Sequence, residues 1–190
     1  MPSEPLVLAF DTSAAHCAAA LLFGDTVLAQ KSEPMVRGQA ERLVPLLQDL
    51  LQQTDRGWSE ISRIGVGIGP GNFTGIRISV ALARGLSLGL SIPALGVSGF
   101  AAIRQIDPEA ANPAIMAPRD CVYLDTPDLH QCALLDAPDH LRFPPLNLSE
   151  FAAAIARVAR DSDDVTPPAP LYIRPADAAP ARDRAPVLLE

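Results

Sequence analysis

Residues 66 to 77 read Val-Gly-Ile-Gly-Pro-Gly-Asn-Phe-Thr-Gly-Ile-Arg, and Gly67, Gly69, Gly71 and Gly75 crowd one short turn. An apolar run precedes it, and a proline-free stretch of mostly small residues, Ile76 to Leu90, follows. That order spells strand, glycine turn and helix start. Glycine permits positive φ and close backbone approach, while a helix N-terminus gathers unpaired N–H groups and the positive end of its dipole. Together they form a cradle that suits a phosphate. The same residues equally suit a tight strand-to-helix turn that binds nothing, and local chemistry does not choose between the two. The loop lacks the Gly-Lys-Ser/Thr ending of a P-loop. It also has Ile92-Pro93-Ala94-Leu95 where a dinucleotide fold places its acidic residue.

Asp11 is the second candidate for chemistry. Leu6 to Phe10 is a short apolar strand that runs directly into Asp11-Thr12-Ser13. Cys17 to Phe23 and Thr26 to Lys31 read as two further strands joined at Gly24-Asp25, a hairpin signal. A carboxylate at a strand end can organise a metal or a water, although Asp and Ser there also cap turns.

Two helices must hold these loops in place. Residues 37–54 read as helical, with Leu43, Leu46, Leu47, Leu50 and Leu51 at three- and four-residue spacing, a face broader than one sheet contact requires. Pro45 lies inside that stretch and predicts a kink, or a helix that begins near it. The second helix, residues 74–90, carries Ala81, Gly85 and Gly89 four apart, and Arg77 and Arg84 share one face. Small residues in a stripe admit a close helix, and the arginines could meet carboxylates across an interface. The alternative is that the leucines are core and the arginines solvated. A strand over 63–69 and a short helix near Ser59 complete the first half.

Beyond residue 104 the strand candidates are 114–117, 121–124 and 131–135. An amphipathic helix over 149–160 follows, capped by Ser149, with Phe151, Ile155 and Val158 inward. Residues 161–170 read as a proline-rich linker, and the tail after Arg174 as poorly ordered.

Composition bounds the rest. The chain has 190 residues, 48% of them hydrophobic but spread in short runs, so no membrane span is expected and the cytoplasm is the default location. Cys17, Cys121 and Cys132 lack ligand-like spacing and read as reduced thiols. His16, His130 and His140 are scattered, and no metal site is expected. A formal net charge of −7 argues against gripping nucleic acid unaided, since phosphate contacts need clustered Lys and Arg.

Taken together, the two glycine- and aspartate-bearing elements resemble the TsaB family, also called YeaZ, the inactive relatives and partners of the TsaD tRNA threonylcarbamoyltransferase. The resemblance rests on Leu8-Ala9-Phe10-Asp11-Thr12-Ser13, on residues 40–47, on Gly69-Pro70-Gly71-Asn72-Phe73-Thr74-Gly75-Ile76-Arg77, and on residues 85–98. It covers residues 5 to about 104 closely. The second half fits less well. Pro170-Leu171-Tyr172-Ile173-Arg174 resembles the family's closing element, but Met116 stands where an aspartate is usual, and a late glycine loop has no counterpart. Gln39 stands where the transferase relatives have histidine.

The resemblance implies an α/β chain of ribonuclease H-like, actin-like (ASKHA) fold in two lobes, residues 1–104 and a shortened 105–190. It implies a non-catalytic subunit that supports TsaD in making N6-threonylcarbamoyladenosine beside the tRNA anticodon, with no catalytic residue of its own. TsaE, an ATPase, would be a third partner, tRNA would be met only through the complex, and the chain would homodimerise when TsaD is absent. Asp11, Thr12, Gly69, Gly71, Thr74 and Gly75 would be vestigial phosphate loops, with ATP or ADP confined to the complex interface. Partner contacts would come from Leu43, Leu46, Leu47, Leu50, Ile76, Arg77, Val80, Ala81, Arg84 and Gly85. Two other readings remain: a stand-alone ATP-dependent small-molecule kinase or transferase of the same fold, and a degenerate module that only homodimerises.

Overall fold

The computed structural model describes residues 4–127, 130–164 and 166–173. β1 (Leu6–Asp11), β2 (His16–Phe23) and β3 (Thr26–Pro34) form an antiparallel meander, and β4 (Arg63–Gly67) and β5 (Ala94–Val97) extend it in parallel. The order β3-β2-β1-β4-β5 is the mixed ribonuclease H-like sheet. Along β1 the side chains alternate between two cores: Leu6, Leu8 and Phe10 enter one, Val7 and Ala9 the other. A strand covered on both faces reads as a continuous apolar run, which is why β1 shows no polar alternation in sequence.

Helices α1 (Gln39–Gln53) and α2 (Phe73–Leu90) cover the first face. The helix over 39–53 runs through Pro45 rather than starting there; proline at that position removes only the N–H that would bond the Glu41 carbonyl. Leu43, Leu46, Leu47 and Leu50 are at most 1% exposed and pack into the first core with Leu8, Phe10 and Leu21. The broad leucine face is therefore spent within the chain, and these four residues are corrected from partner surface to core.

Helices α3 (Gly99–Ile106) and α4 (Leu148–Asp161) cover the second face. Helix α4, expected within the second lobe, packs instead on the first sheet. Its inner face combines Phe151 and Ile155 with five alanines, of which Ala152 and Ala153 meet Ala18 and Ala20 of β2. Small side chains on both sides let the helix sit close to the sheet. The sheet in turn caps the helix: Arg63 Nη1 donates to the carbonyls of Ala159 (2.8 Å), Arg160 (3.1 Å) and Ser162 (2.6 Å), and its charge complements the negative helix end. The N-cap is Asn147 rather than Ser149; the Asn147 side chain accepts from the Ser149 N–H, and Ser149 is buried as the second helical residue.

A smaller sheet, ordered β8-β7-β6-β9, is built from β6 (Asn112–Ala117), β7 (Cys121–Leu124), β8 (His130–Ala133) and the two-residue β9 (Leu141–Arg142). β8 is shorter than its sequence pattern, because a 3-10 turn takes Leu134–Asp136. One face of this sheet rests on Phe100 of α3 through Ala117 and Tyr123. Residues 166–173 form a strap, in which Pro168, within the expected linker, is buried. Leu171 N donates to Ile68 O at 2.8 Å, Tyr172 stacks on Phe73, and Ile173 joins the Phe100, Ala117 and Tyr123 cluster. This strap lies between the two sheets. The tail from residue 174 lies outside the described residues.

By length and composition alone helix α2, whose 18 residues have a mean hydropathy of 1.2, would reach the measure of a span. It carries Arg77 and Arg84, and buries Ile76, Ser79, Val80 and Ala83 against the sheet. Those features belong to a packed helix of the domain.

Two outcomes follow for stability. Leu47→Ala leaves a hole in the first core, so it should cost about 2–5 kcal/mol in urea unfolding. Separately, Arg42 grips both carboxylate oxygens of Glu33 at 2.7 and 2.8 Å, tying α1 to β3. That hydrogen bonding holds the Glu33 carboxyl down from 4.5 to about 2. A depressed folded pKa stabilises above the unfolded value, and the contribution is lost as pH falls from about 4.5 through about 2. Because the pair is partly exposed, Glu33→Gln should remove less than about 1 kcal/mol of acid-side loss, read from unfolding midpoints across that window.

Candidate functional site

The end of β1 delivers Asp11 and Thr12 to the corner where β4 passes into the glycine loop. Both are buried, at 1% and 0% exposure. Thr12 Oγ1 donates to Gly75 O at 2.7 Å, and Asn72 N donates to Ser13 O at 2.6 Å. A Cβ at Gly75 would fall on the Thr12 carbonyl oxygen, and one at Gly67 on the Asp11 carboxylate. The glycines are needed here because backbone lies against backbone.

Several of the loop's other polar groups are also engaged within the chain. Ile68 N donates to Val97 O and Ile68 O accepts from Leu171 N, each within 3.0 Å. Gly69 O accepts from Gly99 N at 2.8 Å, and Gly75 N donates to the Asn72 side chain at 2.9 Å. Gly71 faces the Ser13 carbonyl, while Thr74 is exposed on the first turn of α2. So the structure gathers Asp11, Thr12, Gly69, Gly71 and Gly75 at one corner and packs them on one another.

Asp11 has two neighbours that sequence reasoning missed. His16 Nε2 meets Asp11 Oδ2 at 2.8 Å, and Ser13 Oγ donates to the same oxygen at 2.9 Å. The signal for His16 is its position five residues on, at the start of the neighbouring antiparallel strand. Gln39, at the start of α1, donates through Nε2 to the carbonyls of Ala14 (2.6 Å) and His16 (3.0 Å), closing the Asp-Thr-Ser turn. Cys17 lies beneath, its thiol pushed up to about 11 by burial and then by the Glu33 carboxylate, and so held protonated.

The outer face of α2 differs in character. Arg77, Ala81, Arg84, Gly85 and Leu88 lie on the side away from the sheet, and the helix contains no acidic residue. Ile76 and Val80, expected on this face, are buried at 1% and 4% and are corrected to core: they lie on the sheet side of the helix.

Residues 27–126 match the family model described as "TsaD: tRNA N6-adenosine threonylcarbamoyltransferase". The protein named tRNA threonylcarbamoyladenosine biosynthesis protein TsaB from Escherichia coli (strain K12) is 37% identical over 99 residues, covering 52% of this chain and 42% of that protein. Its namesake from Bacillus subtilis (strain 168) is 38% identical over 94 residues, covering 50% and 41%. The chain belongs to the TsaB (YeaZ) family.

It spans less than half the length of these curated TsaB relatives. The solved structure of YeaZ from Pseudomonas aeruginosa superposes with a TM-score of 0.65 at 26% identity, covering 82% of this chain and 92% of that one. An uncharacterized protein described as similar to peptidase YEAZ from Pseudomonas aeruginosa superposes at 0.74 over 90% and 100% of the two chains, at 24% identity. The fold is thus the actin-like one of TsaB. In this TsaB-family chain Ser13 Oγ and His16 Nε2 both bond to one oxygen, Asp11 Oδ2.

The contrast between two glycine sets is testable. Gly75→Ala forces a Cβ onto backbone and should cost about 3 kcal/mol. At Gly85 an added Cβ would meet nothing within 4 Å, so Gly85→Ala should stabilise by about 0.5–1 kcal/mol through helix propensity. Thermal unfolding of both variants checks the pair.

Proposed function

We propose that this chain is a non-catalytic subunit in the formation of N6-threonylcarbamoyladenosine on tRNA, acting by binding and shaping the TsaD transferase. The observation that carries the reading is the closed glycine corner. Acyl or phosphoryl transfer needs several preorganised charges aimed at a reacting group. Here Asp11 Oδ2 is taken by His16 and Ser13, and Asn72 N, Gly69 O and Ile68 O are bonded to the β1 turn, α3 and the strap. Asp11, Thr12, Gly69, Gly71 and Gly75 are then inherited structure that now serves packing, with Thr74 outside the packed corner.

A scaffold needs a surface in place of a site. The acid-free outer face of α2, with Arg77 and Arg84 flanking Ala81 and Gly85, supports one. A partner helix could approach the small residues closely and set carboxylates beside the guanidinium groups. The ATPase TsaE would join the pair, tRNA would be held by the complex, and homodimers would use the same face when TsaD is absent. Any ATP or ADP would lie where the subunits meet.

Co-purification with the TsaD of the same organism, followed by threonylcarbamoylation of tRNA with and without this chain, tests the proposal. A stable complex, with modification only when both are present, is the expected outcome. Arg84→Glu should weaken the complex about tenfold or more while leaving the unfolding temperature unchanged. ATP turnover by the chain alone, with no complex, would instead establish the small-molecule kinase reading.

A further inference from the structure

Arg77 is held in an unusual way for an exposed side chain. Its guanidinium lies 3.8 Å over the Phe73 ring, and its Nε donates to the Tyr172 hydroxyl at 3.0 Å. Tyr172 itself stacks on Phe73, with ring centroids 4.7 Å apart. Two aromatic rings, one from α2 and one from the strap, therefore fix the direction of one arginine. Its terminal nitrogens Nη1 and Nη2 have no partner among the described residues, and neither has the Arg84 guanidinium. A long cation normally loses rotamer freedom on pairing; one already held by a ring and a hydroxyl loses less.

The strap borders the rest of this face as well. Pro167 and Pro168 line, with Arg84, Ser87 and Leu88, a groove of about 370 Å³ beside the C-terminal half of α2. Leu88 is 85% exposed at its rim. Strap and helix thus run antiparallel, with Tyr172 at the first turn and the two prolines near the last.

We infer that Tyr172 is a positioning residue: it presents Arg77 as a preset fork to a carboxylate on an acidic helix of the transferase partner. This rests on the partner-binding reading above. Charge decides the occupant. The face is cationic on a chain of net charge −7, so an acidic partner surface complements it. In a homodimer through this face, formed when the transferase is absent, the arginines of the two copies would oppose each other, so an acidic partner is the better match.

The test measures the dissociation constant of the complex with TsaD for Tyr172→Phe, Arg77→Ala, their double variant, and Arg84→Glu as control. Tyr172→Phe keeps the stack and loses only the hydroxyl. It should weaken binding about three- to tenfold, the range of one hydrogen bond. In the Arg77→Ala background the same change should have no further effect, and Arg77→Ala should flatten the salt dependence of binding. Independent effects of the two substitutions, or an unchanged constant for Tyr172→Phe while Arg84→Glu disrupts the complex, would overturn the positioning role and leave the surface standing. No effect of any variant would overturn the surface itself. A homodimer that Arg84→Glu disrupts, with no complex at all, would give the face to a second copy and overturn the acidic-partner assignment.

Discussion

The structure turns on one steric constraint: the glycine loop touches the Asp-Thr-Ser turn with no room for a side chain between them. Gly67 lies against the Asp11 carboxylate and Gly75 against the Thr12 carbonyl. That contact sets where β4 hands over to α2, and so the direction of an 18-residue helix. It also sets the height at which Gly69 can receive α3 and at which Ile68 can receive the strap. Moving the loop outward to admit a ligand would break bonds to three separate elements. Glycine here does the opposite of what a phosphate cradle asks of it, since its missing side chain is filled by the protein's own backbone.

Much of this is legible in residue types. The apolar β1 run, the Gly24-Asp25 hairpin and the helix after Gly75 each carry local signals, and each forms where those signals lie. What local pattern does not convey is the identity of the covering layer. Leu43 to Leu50 look alike whether they face a sheet or a partner, and only the location of β1 beneath them decides for the sheet. The alanine face of α4 escapes a local reading for a related reason: small residues give no directional signal, and the matching Ala18, Ala20 and Gly65 lie more than 80 residues earlier. His16 is hidden because its partner sits across a turn rather than at a motif spacing. The strap's prolines read as a linker, although Pro168 is buried, and the closing residues Leu171 to Ile173 find three different partners.

Charge is distributed with similar economy. Glu33, Asp49, Lys31 and Arg42 neutralise one another between β3 and α1, and Arg63 and Arg160 are used at the end of α4. Arg77 and Arg84 stand apart from these pairings, on the helix that the glycine loop aims outward. The face proposed for partner binding is thus positioned by the same packing that joins the glycine loop to the β1 turn.

The seat of α4 bears on how the chain is made. The five strands of the first sheet are complete in sequence by Val97, yet one of their faces has only the short α3 to cover it until residues 148–161 arrive. As the polypeptide emerges from the ribosome, a sheet with much of one apolar face uncovered must wait for some fifty further residues, at roughly 5–20 residues per second. A chaperone that shields that face for those seconds would act on the nascent protein at its most aggregation-prone point.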